Sequence, residues 1–291
     1  MTRPRRIGLA ASALHREGRD ASLARLVRRH ERAIRHELGI ELFVVGRTHA
    51  ALRAQGLLEG YAGLHALPER REGGLIRLTA MLVDEDPART LDAVIYLLDP
   101  EDPTSLYPEG LALKRQCVVH SRTFVSTHAR AEEWIELERT LAGWPPDGAF
   151  DPMFTPERHA IALVAHDARK DDMVEFARRH FALLSRFGRR FATGTTGGRL
   201  QTLAGSLGAG DGWVHRLRSG PLGGDAQIAD LILDRAVSRV IFFEDPHVAR
   251  QHEADIQLLE RAARIAGAFA GCINDPLSAQ RWAEGFALRS A

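Results

Sequence analysis

Between residues 161 and 255 the chain places side chains capable of chemistry directly after apolar runs. His166-Asp167, with Lys170 close behind, follow one such run, and Thr193-Gly194-Thr195-Thr196-Gly197 close the next. Ser219-Gly220-Pro221-Leu222-Gly223-Gly224-Asp225 come after the third, and Asp245-Pro246 after the fourth, with His252 and Asp255 beyond. The Thr-Gly-Thr-Thr-Gly stretch suits a phosphate: glycines admit close backbone approach, hydroxyls donate, and a following helix presents unpaired amides. The same stretch also fits a plain turn with a helix cap. Asp225, after two glycines and before a helical stretch, reads as an N-cap aspartate or as a general base. His252 and Asp255 carry similar pairs of readings, a loop histidine and a cap against acid/base partners. His166, Asp167, Asp225, Asp245, His252 and Asp255 could supply ligands for one ion, but their spacing matches no familiar metal signature, and no metal is expected.

The elements that must position these residues alternate. In the second half the apolar runs are Ala160–Ala165, Arg190–Thr193, Trp213–Leu217, Arg239–Phe243 and Ala268–Cys272, separated by helix-like stretches Asp171–Leu184, Ala226–Arg235 and Asp255–Ile265. Strand–helix alternation predicts an α/β fold with a mostly parallel sheet covered on both faces, a Rossmann-like three-layer α/β/α arrangement. Ligands of such folds bind beyond the carboxyl ends of the strands. The same order recurs upstream: Ile7–Ser12 resembles Ile161–His166, Phe43–Thr48 resembles Phe191–Thr196, Gly73-Gly74 resembles Gly223-Gly224, and Val94–Pro100 resembles Val240–Pro246, all about 150 residues apart. This predicts two such domains from a tandem duplication, 5–140 and 157–291, joined by a linker at 141–156 whose prolines and glycines favour an extended connector. Gly205–Gly212 reads as a water-excluding lid or a loose surface loop.

The 291 residues are 45% hydrophobic and 26% charged, with a formal net charge of +1, so nothing global points to nucleic acid or a membrane surface. Two cysteines, Cys117 and Cys272, form no zinc pattern or disulfide framework, and a reducing cytoplasm fits. No apolar run is long enough to span a bilayer, and Ile7–Ala13 reads as a first strand.

The stretch from His159 to Asp255 resembles methylglyoxal synthase, carried by Ala-Leu-Val-Ala-His166-Asp167 with Lys170, Thr193–Gly197, Ser219–Asp225, and Phe-Phe-Glu-Asp245-Pro246 followed by His252 and Asp255. The resemblance implies a cofactor-free lyase that eliminates phosphate from dihydroxyacetone phosphate, a phosphorylated small molecule, with inorganic phosphate as product or regulator, working as a homo-oligomer. It implies Asp225 as the base at C3 and His252, with Asp255, as the group that polarises the carbonyl, with Asp167 beside them. Lys170, Thr193, Thr195, Thr196, Gly197, Ser219 and Gly220 would hold the phosphate, and His166 and Asp245 would complete the pocket. The alternative is a non-catalytic sensor of a phosphorylated metabolite. Three features depart from the family pattern. Glu244 stands where an aromatic is usual, Leu200–Arg218 is longer than usual, and Ile273-Asn274-Asp275-Pro276 replaces a polar strand end. The family's last strand and tail, which contributes an arginine to a neighbour's phosphate site, have no match here, and Arg289 or an arginine of the first half is the candidate substitute. The first half has lost the chemistry: Ser12-Ala13 replace His166-Asp167, Arg47 and His49 flank Thr48, Leu75 replaces Asp225, and Leu106 falls near the place of His252. It retains Asp99-Pro100 and Ser126-Thr127-His128, and reads as a pseudo-domain that supplies an interface or binds a regulatory ligand.

Overall fold

The structure is a computed structural model that describes residues 5–247 and 253–290, with the side chains of 105, 106 and 253–256 left undescribed. The chain divides into two compact units, Met1–Pro146 and Asp147–Ala291. In the first, strands β1 (Arg6–Ala11), β2 (Glu41–Val45), β3 (Leu64–Leu67), β4 (Ala93–Leu97) and β5 (Thr123–Val125) alternate with helices α1 (Ala13–Arg16), α2 (Ser22–Arg32), α3 (Gly46–Ala54), α4 (Gly74–Leu82), α5 (Pro108–Val119) and α6 (His128–Leu141). In the second, β6 (Ala160–Ala165), β7 (Arg189–Ala192), β8 (His215–Arg216), β9 (Arg239–Phe243) and β10 (Gly271–Ile273) alternate with α7 (Lys170–Arg179), α8 (Phe181–Arg186), α9 (Gly194–Ser206), α10 (Gly224–Leu233), α11 (Glu253–Ile265) and α12 (Pro276–Arg289).

Every strand pairing is parallel, and the sheets run β3-β2-β1-β4-β5 and β8-β7-β6-β9-β10. Each sheet therefore has its first strand at the centre, and the two orders are the same. The three layers follow from the period of two along a strand. Ile7, Leu9 and Ala11 of β1 join the core built with α2 and α6, including Leu23, Val27 and Trp134. Ala10 joins the opposite core with Leu75 and Leu78 of α4 and Leu113 and Cys117 of α5. In the second unit Ala160, Ala162 and Val164 face α10 and α11 through Ile228, Ile232 and Leu259. On the other face Phe176 of α7 meets Phe243 of β9 with ring centroids 5.6 Å apart. Strands buried on both faces lose any polar alternation, which is why they read as near-continuous apolar runs.

The connector expected over 141–156 is shorter in the structure. Helix α6 runs to Leu141, and Gly148–Phe154 already forms 3-10 turns of the second unit with Phe150 and Phe154 buried. Phe154 packs 5.3 Å from Phe286, and the Arg289 guanidinium lies over the same ring at 4.9 Å while pairing with Asp151 at 2.6 Å. Burial of Phe154 against Phe286 of α12 fixes these turns to the second unit. Among the described residues no helix is long and apolar enough to cross a membrane.

Candidate active site

The carboxyl ends of β6, β7 and β9, together with the loop after β8, enclose a cavity of about 680 Å³. Its walls include nine of the residues singled out above: His166, Asp167, Lys170, Thr193, Thr195, Thr196, Ser219, Gly220 and Asp225. Each owes its place to a local device. Helix α9 opens directly after β7, and its N-cap, Thr193, makes no capping bond with its side chain. The first-turn amides of such a helix have no intrahelical acceptor and carry the positive end of the helix dipole. Gly194 lets this turn close against the next loop, since a Cβ there would stand 2.9 Å from the Ser219 amide nitrogen. Within the turn, Thr196 is buried and its Oγ1 has no hydrogen-bond partner in the protein. A buried hydroxyl without a partner costs about 1–3 kcal/mol, so a ligand oxygen at that position recovers energy that folding alone leaves unclaimed.

Asp225 is placed by glycine. Gly223 adopts φ 92°, the left-handed region, and is itself the N-cap of α10, so the aspartate-cap reading does not hold. A Cβ on Gly224 would lie 2.0 Å from the Arg218 carbonyl oxygen, so only glycine lets the chain fold back here. Asp225 then falls in the first turn of α10, and its Oδ2 lies 2.8 Å from where a Cβ on Gly220 would be. Gly220 is thus the floor against which the carboxylate rests.

His166 ends β6 and is oriented by the neighbouring strand. The Asp245 amide donates to its Nδ1 at 2.8 Å, and its ring meets Phe242 edge-on at 5.0 Å. An amide can only donate, so Nδ1 accepts and a neutral ring carries its proton on Nε2. Asp167, almost fully exposed, forms an ion pair with Lys170 at the mouth of the cavity.

Two of the expected residues stand apart from the cavity wall. Gly197 is buried inside α9, where a Cβ would press on Arg216 at 2.8 Å, and Asp245 acts through its amide while its Oδ1 accepts from the His247 amide at 2.9 Å. His252 lies outside the described residues, as does the side chain of Asp255. Gly205–Gly212 contributes nothing to the wall, and Arg289, tied to Asp151, does not reach it. The arginine the cavity does carry is Arg199, which sequence reading passed over; it lies one turn after Thr195 on the same face of α9 and pairs with Asp171 at 2.5 Å. An i, i+4 search from Thr195 would have found it. Val164, Ala165, Pro221 and Phe242 complete the wall.

Two departures from the family pattern prove to be one feature. The Asn274 amide at the end of β10 donates to buried Glu244 and, at 3.2 Å, to Glu260 of α11, which pairs with Arg264 at 2.9 Å. Asn274, in the segment that replaces the family's polar strand end, and Glu244 are partners in one buried network beside Asp245. Among the described residues no group of His, Cys, Asp and Glu could hold a metal ion.

A cavity that pairs a helix N-terminus with a carboxylate and a neutral imidazole can hold an oxyanion and move a proton next to it. The chain is 48% identical over 108 residues to a methylglyoxal synthase of Agrobacterium fabrum, covering 37% of this chain and 80% of that protein. It is 47% identical over 109 residues to one of Brucella ovis, covering 38% of this chain and 82% of that protein. Among solved structures, a methylglyoxal synthase of Elizabethkingia anophelis is 36% identical, covering 40% of this chain and 84% of its own, with a TM-score of 0.30. No protein-family profile matches. Through one domain-sized part of its length, the chain belongs to the methylglyoxal synthase family.

Proposed function

We propose that the second unit converts dihydroxyacetone phosphate to methylglyoxal and inorganic phosphate. The observation that carries this reading is that Asp225 and the open N-terminus of α9, with its unpartnered Thr196 hydroxyl, face one cavity. The amides of α9, the hydroxyls of Thr193, Thr195, Thr196 and Ser219, and the charges of Lys170 and Arg199 bind the phosphate. Asp225 takes a proton from C3, and the electron pair forms the C2–C3 double bond of an enediol. A carboxylate is a weak base for a carbon acid, so the charge developing on the C2 oxygen needs simultaneous stabilisation. His166, with its proton on Nε2, donates from the cavity wall, and the family resemblance assigns the carbonyl-polarising role to His252, supported by Asp255. The C3 hydroxyl then gives up its proton to form the aldehyde carbonyl, the C2–C3 pair moves to C1–C2, and the bond between C1 and the phosphate oxygen breaks with its electron pair leaving on phosphate; the resulting enol gains a proton at C1 and loses the one on its C2 oxygen to become methylglyoxal. Firm grip on the phosphate holds that bond in line with the enediol π system. No cofactor is required by this sequence of steps.

The test is to incubate purified protein with dihydroxyacetone phosphate and follow methylglyoxal and phosphate together. Equal release of both is expected, and Asp225→Asn is expected to lower kcat at least 100-fold, the usual scale for a general base, while phosphate affinity is kept. Wild type and variant equally inactive, yet both binding phosphate, would replace the lyase with a sensor of a phosphorylated metabolite.

A further inference from the structure

The first unit contains a cavity of its own, about 530 Å³, at the carboxyl ends of β1, β2 and β4. The backbone around it repeats the second unit bond for bond. Ser12 N donates to Leu97 O at 2.9 Å as His166 N does to Phe243 O at 3.1 Å. Gly46 N donates to Pro68 O at 3.1 Å as Gly194 N does to Arg218 O at 3.0 Å, and Gly74 N to Glu69 O at 2.9 Å as Gly224 N to Ser219 O at 3.0 Å. Gly73 has φ 89° where Gly223 has 92°. With the units matched in this way, thirteen of the fourteen residues lining the second cavity have a counterpart lining the first; only Arg199, matched to Ala51, does not.

The shape is kept and the chemistry is changed. Over the shared positions the second cavity sets Lys170 against Asp167 and Asp225, whereas the first sets Arg16, Arg47, Arg70 and Arg71 against Glu69 alone. Asp102 and Glu109 stand on an added wall. Leu75, 1% exposed, occupies the place of the base, and Val45 and buried Tyr96 replace Thr193 and Phe242. A leucine accepts no proton, so no C–H bond is broken here. Arginine, planar and always charged, is suited to bidentate contact with phosphate or carboxylate. Arg47 and Arg71 reach Glu69 at 3.6 and 3.0 Å, with their own side chains 62% and 73% exposed, so for these two arginines an entering anion competes with Glu69. The Thr48 hydroxyl accepts from the Ala11 amide at 3.0 Å and keeps its own proton to donate beside the arginines.

We infer that the first unit binds, without turning it over, a small molecule carrying two anionic groups and an apolar edge that rests on Leu75, Val45 and Tyr96. The two sites differ in a charge balance that the position-by-position match makes direct. The inference does not depend on the lyase reading, since its readout is binding alone.

Inorganic pyrophosphate is the probe. The full chain carrying Lys170→Ala and Thr196→Val, which disables the second cavity, is titrated calorimetrically. One pyrophosphate per chain is expected, bound at least tenfold more tightly than orthophosphate. Adding Arg47→Ala and Arg71→Ala should weaken it at least tenfold; both side chains are largely exposed, and an unchanged unfolding midpoint without ligand confirms an intact fold. Absence of pyrophosphate binding in the first background, equal affinity for orthophosphate, or indifference to the two arginine substitutions would each overturn the proposal.

Discussion

Substituting Gly220 by alanine tests the positioning of Asp225 without touching it. Gly220 does not use positive φ, so alanine fits its backbone, and the three atoms nearest a new Cβ are all on Asp225: Oδ2 at 2.8 Å, Cγ at 3.5 Å and Oδ1 at 3.7 Å. Ordinary contact begins at 3.4 Å, so the carboxylate must retreat by about 0.6 Å. Because that oxygen is the far end of a side chain rather than backbone, the retreat is inexpensive for folding, and a stability change below about 1 kcal/mol is expected. For proton transfer it is not inexpensive, since misplacement by about 1 Å can cost roughly 100-fold. A fall in kcat of about 10- to 50-fold follows on that scale, with phosphate affinity little changed because α9 is untouched. The assay is steady-state release of methylglyoxal, alongside urea unfolding. In an Asp225→Asn background the same alanine should have almost no further effect, because both changes act through one carboxylate. Wild-type kcat for Gly220→Ala, or full additivity with Asp225→Asn, would refute the placement of the base.

Thr196→Val removes a buried hydroxyl that has no partner in the protein, so unfolding free energy should stay level or rise slightly. Phosphate affinity should drop about tenfold, as measured by calorimetry, the scale of one hydrogen bond to a charged group. The first unit's stability should carry a pH signature from His30. Burial lowers its pKa to about 4, outweighing nearby Glu132 and joined by Arg29 and Arg139. The unfolded chain protonates this histidine near pH 6.5, so acid favours unfolding: the contribution is complete above 6.5 and is lost as pH falls toward 4. Between pH 7 and pH 5 the loss is about 2 kcal/mol, and chemical unfolding of His30→Leu should lack that increment; equal pH slopes for both proteins would rule it out.

Most of the cavity wall was legible because its residues sit at strand ends, and strand ends announce themselves as apolar runs that stop at glycine, hydroxyl or carboxylate. His166, Thr193, Thr195, Thr196, Ser219, Gly220 and Asp225, which line the cavity, were all found that way. What escaped were features that need a turn of helix or a second strand to be seen. Arg199 is invisible to a search of strand ends because it enters the cavity from the second turn of α9. The turns of Gly148–Phe154 read as a connector because proline and glycine dominate locally, while the aromatic surface they cover lies on α12, more than 120 residues away.

The linear order of residues by itself determined which groups end each strand, that the two halves share one plan, and that Leu75 stands in the first half where Asp225 stands in the second. These are properties of short windows and of their repetition, and local sequence encodes them. The packing of distant segments decided the rest. Whether Asp225 caps a helix or leans on Gly220, which nitrogen of His166 carries the proton, and that Glu244 and Asn274 share a hydrogen bond depend on contacts between residues 5, 79 and 30 positions apart. Parallel register and the two glycine turns bring those residues together, and no window of sequence contains both partners of the longer pairs.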